Sequence, residues 1–316
     1  LGPAVLPAQV TLVDVGPRDG LQNEPNPVAT ADKIELVRLL AVAGVRHIEV
    51  TSFVSPRWVP QMADHAEVMA GVRGGLGGAS GVRHSVLVPN LRGLDTALSA
   101  PRDLWPDEIV VFAAASEAFS HRNINCSIDD SLERFAPVVA RARAEGLRVR
   151  GAISCALGCP YEGEVSPDAV ERVAKGLRAI GVDHCGVADT IGVGTARQVH
   201  EAMERALRHF PLDEVSGHFH DTHGQALVNI HACLQMGVHV FDSSVGGLGG
   251  CPHARGATGN VATEDVVYLL RGLGIDTGID LDRLVDAADF ISKRLGRPLA
   301  SRSGRALLAR RAAPAA

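Results

Sequence analysis

From residue 10 onward the chain repeats one pattern eight times, a short β-branched run followed by an amphipathic helical stretch. Such alternation buries a parallel sheet behind crossover helices. The strand runs read as residues 10–15, 47–53, 82–88, 108–112, 148–154, 184–189, 214–220 and 240–245. Helical stretches between them include 31–43, 130–145, 167–180, 195–210 and 225–236. Gly44, Gly146, Gly181 and Gly237 stand just past four of these, where a left-handed residue closes a helix. Eight such units in about 275 residues fit a closed barrel better than an open doubly wound sheet. After the eighth helix, at 263–273, a further stretch at 280–295 lacks a strand partner and is expected to pack across one barrel mouth. The expectation is one α/β domain over 1–316, a (β/α)8 TIM barrel with its core at about 10–275 and a C-terminal helical extension at 276–311.

Composition excludes several functions. With 46% hydrophobic and 21% charged residues and a net charge of -5, nothing favours nucleic acid or an anionic membrane as a partner. No stretch is apolar for long enough to span a bilayer, and the first residues lack the pattern of a signal peptide, so a cytoplasmic protein is expected. The six cysteines, Cys126, Cys155, Cys159, Cys185, Cys233 and Cys251, show neither a disulfide framework nor the paired spacing of a zinc ribbon.

In a barrel of this kind the chemistry sits at the C-terminal strand ends, whose loops are free to vary. Polar groups fall there on strand after strand: Arg18 and Asp19, residues 49–52, Asn90, Ser116 with Glu117, Ser154 with Cys155, Asp189, and His218 with His220. The sharpest element is His218-Phe219-His220-Asp221, because strand residues two apart share a face and two imidazoles there can grip one cation. A single strand histidine is usually a hydrogen-bonded core residue; two in phase at this end favour a ligand pair. Asp19 and Asn260 can add oxygen ligands, a mixed set that suits Mg²⁺ or Mn²⁺ better than a closed zinc site.

The glycine-rich stretch 246–259 has neither the ending of a phosphate-binding P-loop nor the context of a dinucleotide fingerprint. It reads as a mobile lid that carries Cys251, or as a tight turn. The three lysines, Lys33, Lys175 and Lys293, all fall on expected helices, so a Schiff-base mechanism lacks its nucleophile. No Gly-x-Ser-x-Gly elbow is present.

The run Val15-Gly16-Pro17-Arg18-Asp19-Gly20-Leu21-Gln22-Asn23-Glu24 resembles the opening signature of the 3-hydroxy-3-methylglutaryl-CoA lyases. Thr51-Ser52-Phe53-Val54-Ser55-Pro56, Asn123-Ile124-Asn125-Cys126-Ser127, the run from Ser154 to Gly163, Asp189-Thr190-Ile191-Gly192 and Gly247-Leu248-Gly249-Gly250-Cys251-Pro252 are similar to that family in order and spacing, from about residue 10 to 290. The resemblance implies that Asp19, His218, His220 and Asn260 bind the metal, that Arg18 contacts the thioester carbonyl, and that Cys251 is the lid thiol. It also implies that Glu49, Asp189 and Glu264 are acidic groups of the site and that Gln22 lies near the substrate.

The reaction implied is cleavage of 3-hydroxy-3-methylglutaryl-CoA to acetyl-CoA and acetoacetate, with an acyl-CoA as the small-molecule partner. A homodimer is left open, and Arg57 and Arg122 stand either as phosphate partners or as solvated charges. The sequence departs from the family at His223, Ala188 and Ala152, where tyrosine, glycine and an aromatic residue are common, which puts substrate size in question. Alternatives are a lyase of a bulkier 3-hydroxy-3-alkylglutaryl-CoA, a related metal-dependent aldolase or condensing enzyme, and a non-catalytic metal-binding scaffold.

Overall fold

The computed structural model describes residues 5–75, 81–250 and 258–312. Eight strands close into one parallel barrel in sequence order: β1 (Thr11–Asp14), β2 (His47–Ser52), β3 (Arg83–Leu87), β4 (Glu108–Ala114), β5 (Arg148–Ser154), β6 (His184–Asp189), β7 (Val215–Phe219) and β8 (Val240–Ser243). The barrel is sealed by β8 pairing with β1, Thr11 beside Val240 and Asp14 beside Ser243.

Around the barrel lie α1 (Thr30–Val42), α2 (His65–Gly75), α3 (Leu91–Leu98), α4 (Glu117–Ile124), α5 (Ile128–Ala144), α6 (Pro167–Ala179), α7 (Ala196–Leu207), α8 (Ala226–Gln235), α9 (Thr263–Gly272), α10 (Leu281–Leu295) and α11 (Arg302–Ala312). Their starts follow from side chains that accept the otherwise unpaired first amides. Asn90 caps α3, Ser116 caps α4, Ser127 caps α5, Ser166 caps α6 and Asp280 caps α10. At the far end of α1 the chain turns at Gly44, whose φ is +99° and where a Cβ would stand 2.3 Å from the carbonyl oxygen of Gly278. Only glycine fits both demands.

The segment α10 is not laid across a mouth. Its first end meets the last turn of α1, where the Asp280 amide donates to the Ala43 carbonyl, and its last turn reaches the first turn of α1 through Arg294 and Asp32 at 3.1 Å. It therefore climbs the outer wall antiparallel to α1, because its apolar face, with Leu284, Val285, Ala288 and Ile291 buried, needs the gap between α9 and α1. The residues after it also reach the catalytic rim, where the amides of Ala300 and Ser301 donate to the Gly246 carbonyl. No helix among the described residues is long and apolar enough to cross a membrane.

Apolar packing lies between sheet and helices, while the barrel interior is polar. A Cβ on Gly151 would touch Leu177 and Val182 outside the sheet, whereas its neighbour Arg150 reaches Ser216 at 2.7 Å and Asp242 at 2.6 Å across the interior. Lower down, Glu108 is fully buried with His47 at 2.8 Å and Arg148 at 3.0 Å. Each fully buried Leu or Val side chain contributes roughly 1.5–3 kcal/mol, whereas a buried charge is costly unless paired. The outer layer thus carries the stability, and the paired ionic interior leads up to the site.

Candidate active site

β1 ends at Asp14, and the chain then makes one wide helical turn over Gly16–Gly20. Both glycines are forced by contact with the end of β8: a Cβ on Gly16 would meet Asp14 and Val245 within 3 Å, and one on Gly20 would meet Leu248 at 2.7 Å. Asp14 fixes the turn by accepting from the Gly16 amide at 2.9 Å and from the Thr263 hydroxyl at 2.7 Å. Arg18 and Asp19 are thereby held at the mouth.

The Arg18 guanidinium is tied on several sides. Its Nε donates to Glu49, and its Nη1 donates to Asp19 at 3.0 Å and to Gln22 at 3.3 Å. Burial raises the Glu49 pKa even against the pull of Arg18. For Asp19 burial alone would act the same way, but Arg18, His218 and His220 hold its carboxyl below the usual range.

His218 on β7 and His220, one residue past its end, share one face, with ring centroids 5.3 Å apart. His218 Nδ1 bonds Asp242 at 3.0 Å, and its Nε2 lies 4.0 Å from Asp19 Oδ2. Burial disfavours protonation of His218, but the bond to Asp242 together with the negative charges of Asp242 and Asp19 outweighs it and raises the pKa; His220, lacking such a bond, is lowered to about 4 by burial and by His218. One ligand atom from each of Asp19, His218 and His220 falls within 4.8 Å of the others. Asn260 joins them, its Nδ2 donating to Asp19 at 2.7 Å. Among the described residues His220 Nδ1 is buried with no hydrogen-bond partner. Two imidazoles, a carboxylate and an amide fit a divalent cation that keeps open positions for water or substrate.

Residues 9–291 match the HMGL-like family. The chain belongs to the HMGL-like family. Over 305 residues it is 56% identical to a 3-hydroxy-3-isohexenylglutaryl-CoA/hydroxymethylglutaryl-CoA lyase of Pseudomonas aeruginosa, covering 96% of this chain and 99% of that one. A crystal structure of hydroxymethylglutaryl-CoA lyase from Pseudomonas aeruginosa superposes with a TM-score of 0.92 at 56% identity, over 96% of this chain and 99% of that one. An HMG-CoA lyase of Acinetobacter baumannii, solved with coenzyme A and 3-methylmalate, gives a TM-score of 0.88 at 32% identity, over 95% of each chain.

In this HMGL-like chain Arg18, Asp19, Gln22, Glu49, His218, His220 and Asn260 converge at one mouth. Two other acidic residues accept from loop amides. Asp189 accepts from the amides of Val193 at 3.1 Å and Gly194 at 2.8 Å, which anchors the loop after β6. Glu264 is fully buried under the turn after β8 and accepts from the Gly246 amide at 2.8 and 3.0 Å. Cys251 lies outside the described residues. Arg57 is exposed, and Arg122 lies over the Tyr161 ring at 4.3 Å. Sequence reasoning missed Asp242 and Arg150, although each is a charged residue inside a strand, a signal that usually marks a buried pair.

Proposed function

We propose that the chain is a divalent-metal-dependent lyase that cleaves 3-hydroxy-3-methylglutaryl-CoA to acetyl-CoA and acetoacetate. The observation that carries this reading is the meeting of Asp19, His218 and His220 within 4.8 Å, beside an Arg18 already tethered by Glu49. Asp19, His218 and His220, with the carbonyl oxygen of Asn260, would hold the cation. Bound there, it would acidify the C3 hydroxyl of the substrate.

Retro-Claisen cleavage then needs three things of the chain. The hydroxyl proton leaves to a basic group of the same cluster as the C2–C3 bond breaks and C3 becomes the ketone of acetoacetate. The bonding pair moves toward the thioester, and Arg18 stabilises the enolate oxygen more than the neutral carbonyl. The enolate carbon gains a proton from Cys251, carried by the glycine-rich loop. Glu49 and Gln22 hold the Arg18 guanidinium in place, and Asp189 and Glu264 serve as anchors of the flanking loops.

Incubation of the protein with Mg²⁺ and 3-hydroxy-3-methylglutaryl-CoA tests the reading: acetoacetate and acetyl-CoA should appear in equal amounts. Intact thioester after prolonged incubation would overturn it. A second reading, a lyase that also accepts longer C3 substituents, is favoured by Ala152, which is half-buried on the interior face of β5 between two buried neighbours. The relative from Pseudomonas aeruginosa whose name carries an isohexenyl substrate supports the same direction.

A further inference from the structure

Asp242 and Arg150 have no part in the reading above, yet Arg150 is buried and Asp242 largely so in the barrel interior, next to the histidine pair. Asp242 stands beside His218 in the register of β7 and β8. Its two oxygens are divided: Oδ2 takes His218 Nδ1 at 3.0 Å, and Oδ1 takes Arg150 Nη2 at 2.6 Å. Arg150 is steadied in turn by Ser216 at 2.7 Å. The carboxylate is thus aimed by one partner and spends its other oxygen on the imidazole.

We propose that Asp242 is a positioning residue for the metal centre: its bond to Nδ1 fixes His218 with the proton on Nδ1 and the Nε2 lone pair turned toward Asp19. The inference rests on the proposed metal role of His218. A neutral imidazole carries one proton, and a ligand nitrogen must be the one without it. With a carboxylate at 3.0 Å from Nδ1, the proton sits there, which leaves Nε2, 4.0 Å from Asp19, as the ligand atom. The negative charge behind the ring also makes Nε2 a better donor. His220 has no such support, its Nδ1 lacking a partner among the described residues, so the two histidines are unequal and His218 is the pre-set one. Arg150 acts one step further out by keeping Asp242 from rotating and by balancing its charge inside the barrel.

Removing Asp242 alone would strand Arg150 as a lone buried charge, which costs stability by itself. The informative variant is therefore the pair Arg150→Met with Asp242→Leu in the full chain, which leaves no uncompensated charge. Mn²⁺ affinity, measured by electron paramagnetic resonance on metal-stripped protein, should fall about 10–100-fold in the pair variant with little change in Tm. In the unaltered protein, ¹⁵N imidazole spectra at neutral pH should show His218 carrying its proton on Nδ1, a signature that needs no variant. Wild-type Mn²⁺ affinity in the folded pair variant, or His218 protonated only on Nε2 in the unaltered chain, would overturn the assignment. The two readings fail separately. Tight Mn²⁺ binding without cleavage of the thioester would count against the lyase reading alone, and loss of the Asp242 effect in an active enzyme counts against this inference alone.

Discussion

Arg18, in the turn after β1, and Glu49, within the adjacent strand β2, bond through Nε and Oε1, while Nη1 of the same guanidinium reaches Asp19 and Gln22. A planar donor tethered this way needs little reorganisation when charge develops beside it, and that is where an electrostatic group lowers a barrier rather than merely binding. Arg18→Gln should lower kcat by about 10²–10³ with a much smaller change in KM. Steady-state kinetics decide: a normal kcat with a raised KM would reassign Arg18 to substrate binding.

The cluster of Asp19, His218 and His220 has no task in this chemistry unless a cation fills it. Chelation and dialysis should abolish turnover, and Mg²⁺ or Mn²⁺ should restore it. Full activity in protein shown to be metal-free would remove the cation from the mechanism.

Two thiols separate the proposed lid from the scaffold. Cys233 is completely buried on α8, where burial pushes its thiol pKa up so that it keeps its proton near neutral pH, away from any substrate. Cys251→Ser should lose most turnover, since a hydroxyl is a far weaker acid than a thiol, while Cys233→Ser should keep kcat close to that of the unaltered protein. Equal behaviour of the two variants in the same assay would argue against a lid thiol.

Glu264 makes stability depend on pH. Burial raises its pKa from 4.5 to about 8 in the folded chain. The folded state therefore holds a proton that the unfolded state releases near 4.5, so the stabilisation is full below that pH and is lost as pH rises through about 8. Asp14, raised to about 6, adds the same sign over a lower window. Glu264→Gln keeps an acceptor for the Gly246 amide but cannot ionise. Thermal melts between pH 6.5 and 8.5 should show Tm of the unaltered protein falling relative to this variant; parallel curves would mean that Glu264 is already ionised when folded.

Most of the barrel was legible because strand and helix periods are local. Residues 148–154 and 184–189 were read with the bounds that the structure shows, β5 (Arg148–Ser154) and β6 (His184–Asp189). The course of α10 was not legible, since an amphipathic stretch shows that it must bury a face but not which gap will receive it. The same limit applies within the site. Asp19, His218 and His220 sit at strand ends, where the fold itself says the chemistry lies. Asp189 ends β6 and Glu264 lies in the first turn of α9, yet their oxygens go to loop amides, which depends on the local path of the chain. Asp242 and Arg150 escaped notice because their pairing spans β5 to β8, 92 residues apart, and only the closed barrel brings them together.

The size of the acyl pocket turns on Ala152. Arg150 crosses the barrel interior to Asp242 and Gly151 faces α6, so alternation along β5 turns Ala152 inward, one step nearer the catalytic end. Its sheet neighbours are Phe112 on β4 and Gly186 on β6, and Ala188 lies two residues further along β6, so the β6 side of this wall carries little side-chain bulk. Space there should admit a C3 substituent larger than methyl. Each methylene refused by an apolar pocket costs roughly 1–3 kcal/mol, or about 10–200-fold in kcat/KM. The 3-ethyl homologue should be cleaved within about tenfold of the methyl substrate, below the usual cost of a refused methylene. Ala152→Phe, which places a ring in the gap, should restore discrimination against ethyl and propyl while leaving the methyl substrate the better one. Comparison of kcat/KM for the three homologues in both proteins decides the matter. A hundredfold loss on going from methyl to ethyl in the unaltered enzyme would mean that neighbouring side chains fill the space and that the pocket is built for methyl alone.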